Sequence, residues 1–197
     1  MFPTRHPACR FVLLVVLGGV IAAGCGAAPP PSFSAEGPCD VDGRAPGTYP
    51  DLEALLPDAY EGEAPDVVDS GRTCTTTGLA TLAESGVTDL RFAGATWDLG
   101  GGRGLTLAVF DGDDVTVDAM IDFYETGARD ARRTERVEVS ETTVAGRQAR
   151  RIDVVWSQTG QTVVAWPSAD GDRVNVLLAA DVGDSRVAEI LETYGAR

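Results

Sequence analysis

The stretch that decides the fold is residues 136–180, RVEVSETTVAGRQARRIDVVWSQTGQTVVAWPSADGDRVNVLLAA. Apolar and polar residues alternate along four segments of this stretch, with Ile152, Val154 and Trp156 as one example. A period of two residues is typical of a half-buried β-strand. The segments are separated by Ala-Gly, Thr-Gly and Asp-Gly turns, and Asp-Gly between apolar runs is a strong hairpin signal. The stretch therefore predicts four consecutive antiparallel strands.

Helices are predicted before and after this strand region in the sequence. In residues 117–129 apolar side chains recur at helical spacing, which makes the segment the strongest helix candidate in the chain. Either Asp114 or Thr116 is placed to cap its N-terminus. After the last strand, Ser185 is predicted to cap a closing helix. The core side of that helix is predicted to carry four residues, Val187, Ile190, Leu191 and Tyr194.

The first half of the chain predicts short helices and a further hairpin. Strands over residues 90–98 and 105–110 are joined by GGGRG, in which glycine readily adopts the positive φ of a tight turn. A phosphate-binding loop would need a helix after these glycines, and a strand follows instead. Residues 51–56, with Asp51 as the cap, and residues 77–83 predict short helices. Since few strand–helix–strand crossovers occur, the expected class is α+β, with an antiparallel β-sheet and helices packed on it in a single domain.

The N-terminus has the features of an export signal. Arg5 and Arg10 precede the uncharged run FVLLVVLGGVIAA, and Gly24 and Cys25 follow it. A basic leader, an apolar middle and small residues at the end define a secretory signal peptide. The run rises only about 20 Å as a helix, less than the ~30 Å hydrocarbon core of a membrane, so a permanent span is not expected. An ordinary signal peptide that releases a soluble protein is the alternative.

Cys25 directly after Ala-Ala-Gly resembles the lipobox of bacterial lipoproteins, in which the cysteine is lipidated and becomes the first residue. Ala22 stands where that family usually has Leu. The resemblance implies a signal peptide over residues 1–24, a lipid on Cys25 and a location on the extracytoplasmic face of the cell membrane. The following residues are rich in Pro and small side chains, so residues 25–38 are expected to form the lipidated anchor and a flexible tether. The globular domain is then expected over residues 39–197.

Composition excludes several kinds of catalytic site. The single histidine, His6, lies in the leader, and the chain contains no lysine. A mature domain without either residue forms no Ser-His-Asp or Cys-His arrangement, no Schiff base, no P-loop and no His-ligated zinc site. We therefore expect no enzyme, no catalytic residues and no cofactor. A hydrolase that uses two carboxylates, as glycosidases do, is the less favoured alternative.

The net charge and the cysteines restrict which partners and which redox roles the protein can have. The net charge of −14 argues against nucleic acid as a partner, since phosphate backbones are bound by basic patches. Cys9 is lost with the leader and Cys25 takes the lipid, which leaves Cys39 and Cys74 in an oxidising compartment. A pair of this kind normally forms a disulfide. A redox or metal-binding pair is disfavoured because no CxxC spacing is present.

Three groups of side chains are candidates for binding. The first group is a cluster of acids before the 117–129 helix. Oxygen-rich clusters suit Ca²⁺, but Thr116 occupies the position where an EF-hand needs Gly, so we expect a solvated turn and no metal. Arginines near the end of the 117–129 helix either bind an anion or partner or, as is favoured, offset the helix dipole. Aromatic side chains either line a pocket for an apolar or sugar ligand or, as is favoured, belong to the core. The acids are Asp111, Asp113 and Asp114; the arginines are Arg129, Arg132, Arg133 and Arg136; the aromatics are Trp97, Phe123, Tyr124, Trp156 and Trp166. Trp156 and Trp166, on neighbouring predicted strands, are also a predicted cross-strand pair.

The order of elements over residues 105–195 adds a second resemblance. A strand, an Asp-rich turn, a helix bearing Phe-Tyr, paired hairpins and a closing helix resemble small bacterial lipoproteins of unknown function, including actinobacterial ones with a PsbP-like α-β-α layout. The resemblance implies a binding or accessory role and no catalytic residues. The sequence thus predicts a non-catalytic binding domain of the cell envelope. Its partner is expected to be an envelope protein or, as the alternative, a lipid or other small apolar ligand.

Overall fold

The computed structural model describes residues 32–157 and 159–196. The predicted signal peptide, the predicted lipidation site at Cys25 and the first residues of the predicted tether lie outside the described residues. In the described part, eight segments form strands: β1 (Gly43–Ala45), β2 (Val67–Thr73), β3 (Leu90–Gly100), β4 (Arg103–Asp111), β5 (Arg136–Val144), β6 (Arg147–Trp156), β7 (Thr159–Pro167) and β8 (Val174–Ala180). Five segments form helices: α1 (Pro50–Glu53), α2 (Thr76–Leu79), α3 (Thr81–Glu84), α4 (Val117–Asp130) and α5 (Asp184–Tyr194).

These strands form one antiparallel sheet in the order β1-β2-β3-β4-β8-β7-β6-β5. Strands β1 to β4 make one meander and strands β5 to β8 make a second one. The meanders meet at the centre of the sheet, where β8 pairs with β4 and Ala179 lies opposite Leu105. Helix α4 carries the chain from β4 to β5 at the far edge. The described residues thus have the α+β structure, an antiparallel sheet with helices, that the sequence predicted.

One face of the sheet packs against α1 and α5. Leu105, Leu107 and Val109 of β4 share this face, as their alternation predicted. They belong to one buried cluster with Leu52 of α1 and Ile190 of α5. Burial of such apolar side chains contributes about 25 cal/mol per Å² removed from water, so this cluster fixes both helices on the sheet.

The opposite face packs against α2, α3 and α4. Ile152 and Val154 of β6 lie in a second buried cluster with Leu82 of α3 and with Met120 and Ile121 of α4. The sheet is therefore the middle of three layers. Both faces need apolar residues, and the central strands β7 and β8 supply them with near-continuous apolar runs whose alternate residues point to opposite faces.

The long helix and the glycine hairpin are both confirmed. The Thr116 hydroxyl caps α4 by accepting a hydrogen bond of 3.1 Å from the Ala119 N–H. Gly100 of β3 pairs with Arg103 of β4, and this leaves a two-residue loop of Gly101 and Gly102 with φ of +65° and +82°. Positive φ at both central residues is what a tight hairpin turn requires, and glycine adopts it without steric cost.

The two short helices of the first half differ from the prediction in their limits. Asp51 is not the cap of α1, because Tyr49 holds the N-cap position and Pro50 is the first helical residue. Proline suits that position, since its fixed φ is helical and its missing N–H would have no partner there. The single helix predicted over residues 77–83 is divided into α2 and α3 because Ala80 has a φ of +47°.

The closing helix forms with the predicted core side, but with a different cap. Gly183 holds the N-cap position of α5, and Ser185 lies inside the first turn of the helix. Val187 and Ile190 are buried in the first cluster, and Leu191 and Tyr194 pack against it partly buried. The error concerns only the first residues of the helix.

The sequence does not predict β1 and β2, and the disulfide lies beside them. Strand β2 pairs with β3 along its whole length, from Val67 opposite Thr96 to Thr73 opposite Leu90. Directly after β2, Cys74 forms the predicted disulfide with Cys39, with the two Cα atoms 6.1 Å apart. The bond joins the segment before β1 to the end of β2. Among the described helices, none combines the length and the apolar character that crossing a membrane requires.

Candidate ligand groove

A half-open groove of about 360 Å³ lies between α4 and the sheet, on the face that also carries α2 and α3. We call it the α4 groove. Its floor consists of side chains from β6, β7 and β8, its wall comes from α4 and the residues that follow, and one end is formed by the junction of α2 and α3. The lining residues are Ala80, Thr81, Phe123, Tyr124, Thr126, Gly127, Ala128, Asp130, Ala131, Val154, Trp156, Gln161, Val163 and Leu178. Apolar and aromatic side chains predominate in this set.

Local rules of secondary structure place these side chains in the groove. Val154 and Trp156 are two residues apart on β6 and so point to the same face of the sheet. Phe123 and Gly127 are four residues apart on α4 and so lie one above the other on one side of the helix. A Cβ added to Gly127 would meet no atom within 4 Å, so the space beside this turn of the helix is open. Gly127 is thus a lining residue with room for a larger side chain.

The aromatic side chains of the groove are held by specific contacts. The rings of Phe123 and Tyr124 meet edge to face, with their centroids 5.3 Å apart. The Trp156 indole N–H donates to the Thr134 hydroxyl at 2.9 Å, and that hydroxyl donates to the carbonyl oxygen of Ala128 at 2.7 Å. This chain of hydrogen bonds fixes the Trp156 ring against the end of α4. Preformed aromatic walls of this kind are typical of small-molecule sites.

Two polar groups of the lining modify its apolar character. Burial raises the pKa of the Tyr124 phenol well above its usual range, so this group stays protonated even in alkaline solution. The Thr81 hydroxyl oxygen is buried and has no hydrogen-bond partner among the described residues. A buried hydroxyl of this kind favours a partner that supplies the missing hydrogen bond, and a ligand in the groove is one such partner.

The five predicted aromatic residues do not form one pocket. Phe123, Tyr124 and Trp156 line the α4 groove, whereas Trp97 and Trp166 lie in the core on the other face of the sheet, each only 2% exposed. The favoured expectation of a place in the core describes Trp97 and Trp166, whereas Phe123, Tyr124 and Trp156 have the position that the alternative, a pocket wall, requires. The alternation within a strand shows which residues share a face of that strand. It does not show which faces of different strands lie on the same side of the sheet.

The predicted cross-strand pair of Trp156 and Trp166 is also wrong. Trp156 lies opposite Thr159 at the turn between β6 and β7, and Trp166 lies opposite Asn175 of β8 near the other end of β7. The two indoles are at different ends of the hairpin and on different faces of the sheet. The tight turn fixes the register so that Trp156 pairs with the first residue of β7.

The predicted acidic cluster does not converge. The Asp111 carboxylate forms an ion pair of 2.5 Å with the Arg91 guanidinium. The same carboxylate lies 3.9 Å from the guanidinium of Arg173. Asp113 and Asp114 occupy the turn before α4. Within the described residues, the group of possible metal ligands whose atoms lie within 4.8 Å of one another is Cys39, Asp42 and Cys74, and its cysteines are joined in the disulfide. Asp111, Asp113 and Asp114 therefore act as turn and ion-pair residues.

The displaced pKa values among the described carboxyl groups all move downward. Burial alone would raise the pKa of Asp153, but hydrogen bonds from Arg151 and Thr162 outweigh it and lower that pKa. At Asp42, burial is likewise outweighed by hydrogen bonds from Thr75 and Cys74, which lower the pKa. The hydrogen bond from Ser168 lowers the pKa of Asp170. These carboxylates stay ionised at neutral pH, which suits ion pairing and is the opposite of what a general acid requires.

No protein-family model matches the chain, and no curated protein is significantly similar to it in sequence. The candidate function therefore rests on the α4 groove and on the signals of the sequence itself.

Proposed function

We propose that this protein is a membrane-anchored, extracytoplasmic binding protein whose α+β domain holds a small apolar ligand in the α4 groove. The observation that carries the proposal is the groove between helix and sheet. Its volume of about 360 Å³ lies within the roughly 300–1,000 Å³ that is usual for ligand sites. Its lining is mostly apolar and aromatic, and this lining rather than the volume favours the small apolar ligand over a protein partner, the other binding role expected from the sequence.

The composition of the groove supports an apolar ligand. Phe123, Tyr124 and Trp156 are only partly buried although they pack against the second core cluster. Large side chains that form one contiguous apolar surface mark a binding site more often than scattered exposed ones do. A ligand that covers these rings gains hydrophobic free energy, because it removes from water the part of their surface that the fold leaves exposed.

The anchored location rests on the N-terminal sequence. The lipobox resemblance at Cys25 and the Pro-rich composition before Cys39 support a lipid anchor, a flexible tether over residues 25–38 and a single domain over residues 39–197. The disulfide between Cys39 and Cys74 agrees with an oxidising, extracytoplasmic compartment. A ligand-binding domain on such a tether would take up its ligand next to the membrane.

A non-catalytic role is part of the proposal. The chain has no lysine, and its single histidine lies in the predicted leader. The displaced carboxyl pKa values of the described residues are all lowered, so they supply no pair of an acid and a base with opposite displacements. The groove lining contains one carboxylate, that of Asp130. These observations favour binding without chemistry, without a cofactor and without nucleic acid.

Filling the groove from Gly127 is expected to abolish ligand binding. The mature chain, residues 25–197 with Cys25→Ser, is exported behind a cleaved signal peptide and studied by native mass spectrometry. We expect excess mass that disappears on denaturation in the unmodified groove and none in Gly127→Leu, because the leucine side chain occupies the open space beside Gly127. Replacement of glycine inside a helix also favours folding by roughly 0.5–1 kcal/mol, so the variant stays folded.

Gly127→Ala is the matched control, since it gains the same helix propensity but adds only a methyl group. It is expected to retain most of the bound mass. Equal bound mass in Gly127→Leu and Gly127→Ala would contradict a site in the α4 groove.

Replacing Cys25 by serine in the full chain is expected to move the protein from the membrane fraction to the soluble fraction. Each acyl CH₂ buried in the membrane contributes about 0.8 kcal/mol, so loss of the lipid removes the anchor. Fractionation of cells followed by detection of the protein checks this. Cys9→Ser, which changes a cysteine of the predicted leader, is the control and should stay in the membrane. Continued membrane retention of the Cys25→Ser protein would show that the lipid is not the anchor.

A further inference from the structure

Two arginines of the described chain have no partner. Every basic side chain apart from His6 is an arginine, and the net charge is −14, so acidic partners are abundant. Nine of the described arginines pair with a carboxylate, and Arg103 and Arg147 donate to backbone carbonyl oxygens. Arg132 and Arg133 make neither an ion pair nor a hydrogen bond within the described residues. Both side chains are exposed.

The unpaired arginines lie at the rim of the α4 groove. They are the central residues of a turn that closes when the Thr134 N–H donates to the Ala131 carbonyl oxygen at 3.4 Å. Ala131 lines the groove, and Thr134 is hydrogen-bonded to the groove residues Ala128 and Trp156. The turn is therefore attached on both sides to the groove wall.

The backbone of this turn is unfavourable for arginine. Arg133 has a φ of +76°, in the left-handed region that favours glycine. A turn with positive φ at its third residue normally has Gly or Asn there. Strained residues of this kind are frequent at binding sites.

We propose that Arg132 and Arg133 form a headgroup site, and that the α4 groove binds a single-chain amphiphile with an anionic head. The inference rests on the proposed function. The tail lies against Phe123 and Trp156, and the oxyanion of the head accepts hydrogen bonds from the guanidinium groups. Guanidinium is suited to this role because its planar fork of donors matches phosphate and carboxylate oxygens. The exposed carboxylates of Asp130 and Glu135 flank the turn, but neither forms an ion pair with Arg132 or Arg133, so both guanidinium groups keep their donors for a ligand.

The test compares three amphiphiles that share one tail: decyl phosphate, decanol and decyltrimethylammonium. Their affinities for the mature chain are measured by displacement of a neutral apolar dye, below the micelle concentration. We expect decyl phosphate to bind about tenfold more tightly than decanol at low salt. Salt should reduce the difference, since the arginines are exposed. Decanoate then shows whether a carboxylate head serves as well as a phosphate.

Variants separate the headgroup site from a general charge effect. Arg132→Gln/Arg133→Gln is expected to remove the preference for decyl phosphate and to leave the affinity for decanol unchanged. Arg44→Gln/Arg103→Gln removes the same charge from β1 and from the hairpin of β3 and β4, and it should keep the preference. Equal affinity of the unmodified protein for decyl phosphate and decanol would overturn the headgroup site alone. Failure of all three amphiphiles to bind would overturn the proposed function and this inference with it.

Arg133→Gly distinguishes a binding role from compensation of the helix dipole. Glycine relieves the left-handed backbone, so we expect the Tm to rise by about 2–4 °C while the affinity for decyl phosphate falls toward that for decanol. A fall of the Tm with unchanged ligand preference would assign the arginines to the C-terminus of α4 and overturn the inference.

Discussion

Replacing both Cys39 and Cys74 by serine is expected to lower the free energy of unfolding by about 3–4 kcal/mol. The bond joins residues 35 apart in sequence, and the enclosed loop contains β1, α1 and β2. Without the bond the unfolded chain regains the freedom of that loop, which on the chain-entropy account is the main source of the stabilisation. The measurement is equilibrium unfolding of the mature chain in urea, with and without the cysteines.

The covalent bond is tested separately from the packing around it. Thiol titration of the unfolded, unreduced mature chain is expected to detect neither Cys39 nor Cys74. The carboxylate of Asp42 accepts the N–H groups of Cys74 and Thr75 at 2.7 Å and 2.9 Å, and these bonds do not require the disulfide. The double serine variant should therefore keep the native fold at low denaturant. Two titratable thiols in the unreduced chain would contradict the disulfide.

Replacing Met120 by alanine is expected to lower the free energy of unfolding by about 2–5 kcal/mol. Met120 is fully buried at the centre of the cluster between α4 and the sheet. Truncation removes apolar contacts and leaves a cavity that the rigid sheet fills only in part. Because α4 is the wall of the α4 groove, ligand affinity should fall in the same variant. Urea unfolding measures the first effect and dye displacement measures the second.

Asp122→Ala is the control for this prediction. Asp122 is exposed on the same helix, and its replacement should change the stability by no more than about 0.5 kcal/mol. If Met120→Ala were as mild as Asp122→Ala, α4 would not be packed on the sheet as described, and the groove would lose its wall.

Much of the fold follows from local patterns in the sequence. The alternation of Ile152, Val154 and Trp156 places all three on one face of β6, and the helical spacing around Met120 identifies α4. Turns of glycine between such segments fix the hairpins. Strand β2 is different, because Asp69 and Gly71 interrupt its pattern, and its extended form depends on pairing with β3. Long-range pairing overrides local propensity there.

The candidate site is only partly predictable for a related reason. The sequence identifies the aromatic side chains, but not which strands lie side by side with which faces together. Phe123, Tyr124 and Trp156 meet because α4 crosses β6, whereas Trp97 lies on the other side of the sheet. The open space beside Gly127 is not predictable either, because a glycine in a helix gives no signal of what lies beside it. The strained turn at Arg133 is likewise visible only in the backbone.

Strand β8 is the last strand in the sequence, but it does not lie at an edge of the sheet. Strand β8 lies between β4 and β7, and Leu105 finds its partner Ala179 only 74 residues later. Strands β5 to β8 are joined by short turns and are expected to pair early in folding, but the junction of β8 with β4 is a long-range contact and is expected to form late. Until β8 docks, β4 keeps an unpaired edge that invites association with other chains. A chain that ends before Val174 would therefore lack a central strand of the sheet rather than an edge strand. We expect the complete sheet to form only after β8 has been synthesised.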